Sequence, residues 1–306
     1  VDDGQLDVLC SFFPIFVFTK NVVGDAPDVR VALMLPAEKG CPHDYDLTPQ
    51  DVRRIATADV YVMNGAGLEA FGENRIREAN PNVVVVDSSK GIEGLECDHD
   101  HDDHAHHEHD HDHKADDKHD HGHKHDHAHE GDVNPHFFSS PRQAALQVRN
   151  IAEGLAKADP KNAETYRKNA EAYAARLTAL AEEFESAARG FEHKEIVTMH
   201  EVFDYLARDS GLKVAATIFP VAGVEPSPAE VKLAIETIRE SKAPAVFTEP
   251  QYPQALAKTV ANDAGVVVEQ LDPVASGPPD APLDYYETTM RANLEVLKRV
   301  LGKADH

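Results

Sequence analysis

The stretch NAETYRKNAEAYAARLTALAEEFESAAR, residues 162–189, follows Asp159-Pro160, a pair that breaks the helix before it. Its larger side chains fall at Tyr166, Tyr173, Leu177, Leu180 and Phe184, with Ala170 and Ala187 completing a 4, 3, 4, 3 rhythm. On a helix that rhythm makes one continuous apolar stripe. At about 1.5 Å per residue the helix would be roughly 42 Å long, enough to reach across two domains. An ordinary surface helix would carry the same stripe. Position decides for a connecting backbone helix, because each half of the chain on either side alternates strand and helix.

On the N-terminal side, 6–10 reads as a short buried strand, 14–23 as a helix ended by Gly24-Asp25, and 29–35 as a second strand. Thr48-Pro49-Gln50-Asp51 offers an N-cap, proline at the first helical position and an acid at the third, opening a helix to Thr57. A third strand over 59–63, a helix over 69–78 and the run Val83-Val84-Val85-Val86 follow. That run is β-branched throughout and is expected to be a strand buried on both faces. A helix over 140–158 precedes the long one. On the C-terminal side, strands at 195–198, 212–218, 245–248 and 266–270 alternate with helices at 202–210, 227–241, 254–264 and 283–301. Ser227-Pro228-Ala229-Glu230 is a capping box with proline at N1. The expected fold is α/β, with two lobes each built on a mainly parallel β-sheet flanked by helices and joined by one long rigid helix. The divisions are 1–161 for the N-terminal lobe, 162–190 for the link and 191–306 for the C-terminal lobe.

A length of 306 residues suits two domains. The formal charge of −24 argues against nucleic acid and anionic membrane surfaces as partners. No apolar run approaches the ~20 residues of a membrane span, so no membrane insertion is expected. The strongest run, Phe12 to Phe18, is short and contains Pro14. The chain opens at Val1-Asp2-Asp3 without a basic or apolar leader, so an export signal is expected to have been removed or never present. Cys10, Cys41 and Cys97 are too few and too scattered for a zinc ribbon or a redox CxxC pair.

The loudest feature is Asp98 to Glu130. It holds fourteen of the nineteen histidines: His99, His101, His104, His106, His107, His109, His111, His113, His119, His121, His123, His125, His127 and His129. Asp residues alternate with many of them, and Ala105, Ala115 and Ala128 are its only apolar side chains. Such a composition cannot form a core and is expected to be a disordered loop of weak, accessory sites for zinc, copper or nickel. It signals a transition metal without locating a specific site.

Open α/β sheets bind ligands beyond the carboxyl ends of their strands. His43 follows the second strand, His200 the 195–198 strand and Asp272 the 266–270 strand; His136 follows the fourth strand once the tract is set aside. Two ligands from each lobe, three neutral imidazoles and one carboxylate, suit tetrahedral Zn(II) with no open position. A lone histidine near a strand end is usually a surface or capping residue, so the weight lies in the set. Glu249, just past a strand, reads as a hydrogen-bond acceptor for a ligand imidazole rather than a ligand. Asp44 reads as a turn residue, His193 as a surface residue and His306 as uninformative. The segment from Pro220 to Pro226 stands where a lid could.

Several motifs in order along nearly the whole chain resemble the zinc-binding solute-binding proteins of bacterial ABC importers, the ZnuA-type branch of the metal-receptor family. They are Pro42-His43-Asp44-Tyr45 with Thr48-Pro49, Asn64-Gly65 through Leu68-Glu69, and Asn134-Pro135-His136. Then come Thr198-Met199-His200 with Phe203 and Tyr205, Glu225-Pro226-Ser227, Phe247-Thr248-Glu249-Pro250-Gln251 and Leu271-Asp272-Pro273. The acidic histidine-rich insert is also typical of the zinc members. The resemblance implies two lobes on one rigid helix, with His43, His136, His200 and Asp272 as ligands. Water or a loop carboxylate takes the fourth position in some zinc members, which leaves Asp272 the least secure carry-over. It implies a monomeric periplasmic receptor that carries Zn(II) as cargo to an ABC permease, with a periplasmic metallochaperone as a further partner. Cys41 sits two residues before His43 and could in principle ligate metal, but in an exported protein a disulfide is the more natural use, and Cys10 and Cys41, both at or just past strand ends of one sheet, are the expected pair. A zinc-dependent hydrolase is the rival from another class, but it lacks HExxH or a similar motif. The other rival is a metal-storage protein whose working part is the tract. Manganese or nickel as cargo is a third alternative; a third imidazole at His200 favours zinc.

Overall fold

The computed structural model describes residues 4–43, 45–96, 133–219, 226–251 and 254–303. The chain begins with β1 (Leu6–Cys10), α1 (Phe13–Val23), β2 (Val29–Leu33), α2 (Pro49–Thr57), β3 (Val60–Met63), α3 (Gly72–Ala79) and β4 (Val84–Asp87). Then α4 (Pro141–Ala158) and α5 (Ala163–Arg189) lead into the second half. There β5 (Glu195–Thr198), α6 (Asp204–Ser210), β6 (Lys213–Thr217), α7 (Pro228–Ser241), β7 (Ala245–Thr248), α8 (Ala255–Ala264), β8 (Val267–Gln270) and α9 (Tyr285–Leu301) follow. The expected α/β class with two parallel sheets is what the structure has.

Both sheets have four parallel strands and one topology: β2-β1-β3-β4 in the first, β6-β5-β7-β8 in the second. In each, the first strand of the half lies inside the sheet and the chain winds outward from it in both directions. The crossovers therefore diverge beyond the carboxyl ends of β1 and β3, and again beyond β5 and β7, which opens a crevice at each place.

Two sequence expectations change. The valine run is not buried on both faces: β4 is an edge strand paired only with β3, and Val84 is 41% exposed while Val86 is buried. Its β-branching suits a pleated, half-buried surface rather than marking burial. The helix expected from residue 69 starts only at Gly72. Gly72 has a φ of +65°, which interrupts a right-handed helix, and Glu69 is occupied upstream, its carboxylate accepting the backbone N–H groups of Asn64 and Gly65.

The long helix α5 buries Tyr166, Ala170, Tyr173, Leu177, Leu180 and Phe184, as the rhythm of its sequence predicts, and adds Ala174, Ala181 and Ala188. One continuous apolar cluster runs from Val8 and Val62 in the first sheet through α1, α4 and α5 to Phe247, Leu271 and Leu297 in the second half. A smaller one, including Val197, Ile238 and Val260, lies under α7 and α8. The start of α9 is sewn to the first half. Tyr286 packs edge-on against Phe18 at 5.1 Å and donates its hydroxyl to the Phe138 carbonyl at 2.7 Å. Arg176 of α5 reaches Glu287 at 3.0 Å. Among the described residues no helix is long and apolar enough to cross a membrane.

Because Leu177 is fully buried where the halves share their core, Leu177→Ala is expected to cost about 2–5 kcal/mol of stability. Urea denaturation of the two proteins, compared at equal m-value, checks this.

Candidate metal centre

Loops leaving the carboxyl ends of β2 and β5 meet the segment that precedes α4. There His43, His136, His200 and Cys41 gather, each offering one ligand atom, with all four atoms within 4.8 Å of one another. Nε2 of His43 and Nε2 of His136 lie 2.8 Å apart. The ring centroids of His136 and His200 are 5.1 Å apart and those of His43 and His200 6.3 Å. His136 and His200 are buried; His43 and Cys41 are half-buried.

The orientation of each buried ring has a stated cause. Nδ1 of His136 lies 2.8 Å from Asn134 Oδ1, which also accepts the His136 backbone N–H at 3.0 Å. The other end of the Asn134 amide donates to the Glu201 carbonyl at 2.8 Å and to Asp204 Oδ2 at 3.2 Å, which settles which end is oxygen. His136 therefore carries its proton on Nδ1 and turns the Nε2 lone pair into the centre. Nδ1 of His200 lies 2.7 Å from the buried carboxylate of Glu249, whose other oxygen accepts from Gln251 at 2.7 Å. A carboxylate there fixes the ring and strengthens Nε2 as a donor. Burial, and then the neighbouring His200 and His43, hold His136 well below the usual imidazole range, so it is neutral and able to ligate.

The supporting residues come from the crevices that the topology opens. Glu249 follows β7, and His200 follows β5. In the first sheet Asn64 follows β3: its side chain donates to the Pro135 carbonyl, next to His136, and accepts from Gln147. Gly65 beside it has a φ of +86°, and a Cβ there would lie 1.9 Å from Asp87 Oδ1, so only glycine fits. Glu69 is buried and clamps this turn; burial raises its carboxyl above the usual range despite bonds from the Asn64 and Gly65 backbone. The loop carrying His43 is held by Asp51, whose Oδ2 accepts from Thr48 N at 2.9 Å, Thr48 Oγ1 at 2.7 Å and Tyr45 Oη at 2.8 Å. Burial works against the Asp51 charge, but these three bonds outweigh it and hold the carboxyl below its ordinary value.

Asp272 is not in the group of four. Its Oδ1 accepts the Val274 N–H at 2.8 Å, a turn within its own loop, and its backbone is held on both sides by Asn293. Burial pushes its carboxyl up to about 6, against the Val274 bond and with the Glu249 charge adding to the rise. The expected Cys10–Cys41 disulfide is absent; both are free thiols. The strand-end argument fails because β1 turns Cys10 into the core, where it is fully buried and its thiol is pushed up to about 12. Its register partner on β2 is Leu33, and Cys41 lies well beyond it, turned toward the imidazoles. Sequence reasoning gave Cys41 to the disulfide and gave Asn134 no role of its own. An asparagine two residues before a ligand histidine was the available signal. Cys97, Asp44, the histidine tract, most of the 220–226 lid segment and His306 lie outside the described residues.

Comparison with known proteins identifies the family. Residues 8–300 match the ZnuA family, described as zinc-uptake complex component A, periplasmic. The chain is similar to the zinc-binding lipoprotein AdcA of Streptococcus pneumoniae serotype 4, 30% identical over 97% of this chain and 56% of that protein. It is also similar to the high-affinity zinc uptake system protein ZnuA of Bacillus subtilis, 31% identical over 96% of this chain and 87% of that one. It thus spans little more than half the length of the streptococcal relatives it matches. Among solved structures it resembles a crystal structure of ZnuA, with a TM-score of 0.76 at 28% identity over 97% of this chain and all of that one. A nickel complex of FpvC from P. aeruginosa gives a TM-score of 0.77 at 29% identity, over 97% of each chain.

Two outcomes are expected. Glu249→Gln and Asn134→Ala each lower the zinc affinity of the tightest site about 10–100-fold without removing it, measured by competition with a chromophoric chelator. Asp51→Ala costs on the order of 1–2 kcal/mol at neutral pH. Since the folded Asp51 carboxyl titrates below its unfolded value of about 3.9, its contribution is complete above that pH and lost as pH falls through the folded value. The difference between the two proteins in denaturant melts should therefore shrink in acid.

Proposed function

Because the chain belongs to the ZnuA family of periplasmic zinc-uptake components, we propose that it is a receptor that captures Zn(II) outside the cytoplasmic membrane and delivers it to the permease of an ABC importer. The observation that carries this is the convergence of His43 and His136 from the first half with His200 from the second. Two of these rings have Nδ1 held by an acceptor, so Nε2 is left for an ion. In this reading residues 1–161 and 191–306 are the lobes, and 162–190 keeps their ligand loops at a fixed separation. No covalent step is involved: the receptor binds and releases. Glu249, the buried carboxylate beside the imidazoles, is committed to His200 and Gln251 and is not placed to activate a water. Nitrogen-rich donors favour zinc over manganese.

Release to a permease requires that docking favour a state with lower metal affinity, since a partner shifts the equilibrium only through its preference for one state. The contact at 2.8 Å between His43 and His136 suits this role. When the ion leaves, the two rings can satisfy one another, so the empty centre does not hold a pair of stranded buried nitrogens.

The purified protein is expected to bind one zinc ion tightly, and His200→Ala to lose that site. Deleting residues 98–130 should leave it in place while lowering total zinc capacity. Metal analysis after dialysis measures both; if the deletion removed the tight site and His200→Ala spared it, storage in the tract would be the better reading.

A further inference from the structure

Three imidazoles leave a tetrahedral ion one donor short, and the protein supplies a fourth atom at the same place. We propose that Cys41 ligates the ion as a thiolate, giving the centre three nitrogens and one sulfur. The inference rests on the receptor reading and adds to it the identity of the last donor.

Geometry is the first support. In a zinc site with Zn–N near 2.05 Å and Zn–S near 2.3 Å, tetrahedral ligand atoms are about 3.3 Å apart for two nitrogens and about 3.6 Å for sulfur and nitrogen. The four atoms here lie within 4.8 Å of one another, with the two imidazole nitrogens of His43 and His136 at 2.8 Å. The set closes on an ion with shifts of about an ångström or less, in the range of side-chain rotation.

The second support is how the Cys41 loop is seated. Gly40 has a φ of +81°, and a Cβ there would meet Gln251 Cγ at an ordinary contact distance of 3.4 Å. Gln251 in turn donates to Glu249, and Glu249 holds His200. The loop bearing the sulfur thus passes beside the same Gln251–Glu249–His200 series that aims the imidazole from the other half. Pro42, buried between Cys41 and His43, restricts the backbone so that the two donors are presented together.

Third, Asp272, the rival fourth donor, lies outside the group of four. Asp272 closes a turn with Val274, and its backbone is pinned by Asn293. Binding then replaces the thiol proton, which passes to solvent, and leaves a zinc thiolate beside the Glu249 carboxylate. A sulfur donor makes the centre softer than one closed by carboxylate or water and increases its preference for Zn(II) over Mn(II).

Cobalt(II) tests this, using the full chain under reducing conditions with one equivalent of metal. The expected spectrum has the visible bands of a tetrahedral site together with a near-ultraviolet thiolate-to-cobalt charge-transfer band. Cys41→Ser should abolish the charge-transfer band while the visible bands persist, and Cys97→Ser should leave both intact. A tetrahedral spectrum without the charge-transfer band, or a band that survives Cys41→Ser, overturns the assignment of Cys41 and leaves the receptor reading standing. A spectrum unaffected by His43→Ala and by His200→Ala overturns the receptor site itself. Should Cys41→Ser fail to fold, zinc-edge X-ray absorption on the unaltered protein decides: one sulfur neighbour at about 2.3 Å supports the proposal, and only nitrogen and oxygen neighbours refute it.

Discussion

Three imidazoles can share one buried space only if each is uncharged and each has its proton placed. Protonated rings would repel one another, and a ring with its proton on the wrong nitrogen would offer a metal no lone pair. The structure provides an acceptor for two of the three rings, an amide oxygen for His136 and a carboxylate for His200. Neither acceptor is self-sufficient. Asn134 is oriented by the Glu201 carbonyl and Asp204, and Glu249 by Gln251. Much of the polar structure around the centre exists to fix two protons.

That arrangement depends on the fold in a specific way. Because the two sheets share one strand order, each opens its crevice beyond the carboxyl ends of its two inner strands. In the second sheet these ends supply His200 and its acceptor Glu249 directly. In the first they supply the Asn64 turn, which steadies the His136 segment, while His43 comes from the outer strand β2. The shared core under α5, and the Tyr286–Phe138 bond, tie the His136 segment to the second half. A rigid frame of this kind lets ligands distant in sequence be placed to within an ångström without any local motif.

The alternation of elements, the long helix and its apolar stripe were legible in the sequence because each follows from local periodicity and capping. Thr48 to Asp51 and Ser227 to Glu230 both form the capping boxes that their residues spell. Burial of the Val83 to Val86 run was not legible, since β-branching reports strand preference and only the sheet order reveals an edge. The three histidines could be singled out by their position past strands, a property of topology that alternation already implies. From residue type and position Asp272 ranks as the fourth ligand and Cys41 as a disulfide partner. Both follow strands, and only the folded chain shows the Cys41 sulfur grouped with the imidazoles and one Asp272 oxygen closing a turn.

The insertion of the histidine tract so close to a ligand poses a mechanical problem, and the roots of the insertion resolve it. Glu96 and Val133 form an antiparallel bridge, and Asn134 N–H donates to the Leu95 carbonyl at 2.8 Å, so the chain leaves and returns at one point. Tyr205 from the second half closes the clasp: its hydroxyl donates to the Asn134 carbonyl at 2.6 Å and accepts the Leu95 N–H at 2.9 Å. With both ends fixed, the entropy of closing a longer loop grows only as the logarithm of its length, by about 0.6 kcal/mol per doubling. The tract can therefore be long at little cost to the fold, and variation within it need not reach His136. Asn134 stands at the boundary, since its backbone belongs to the clasp and its side chain orients the ligand. Whatever pulls on the roots of the tract acts on the same residue that places the His136 proton.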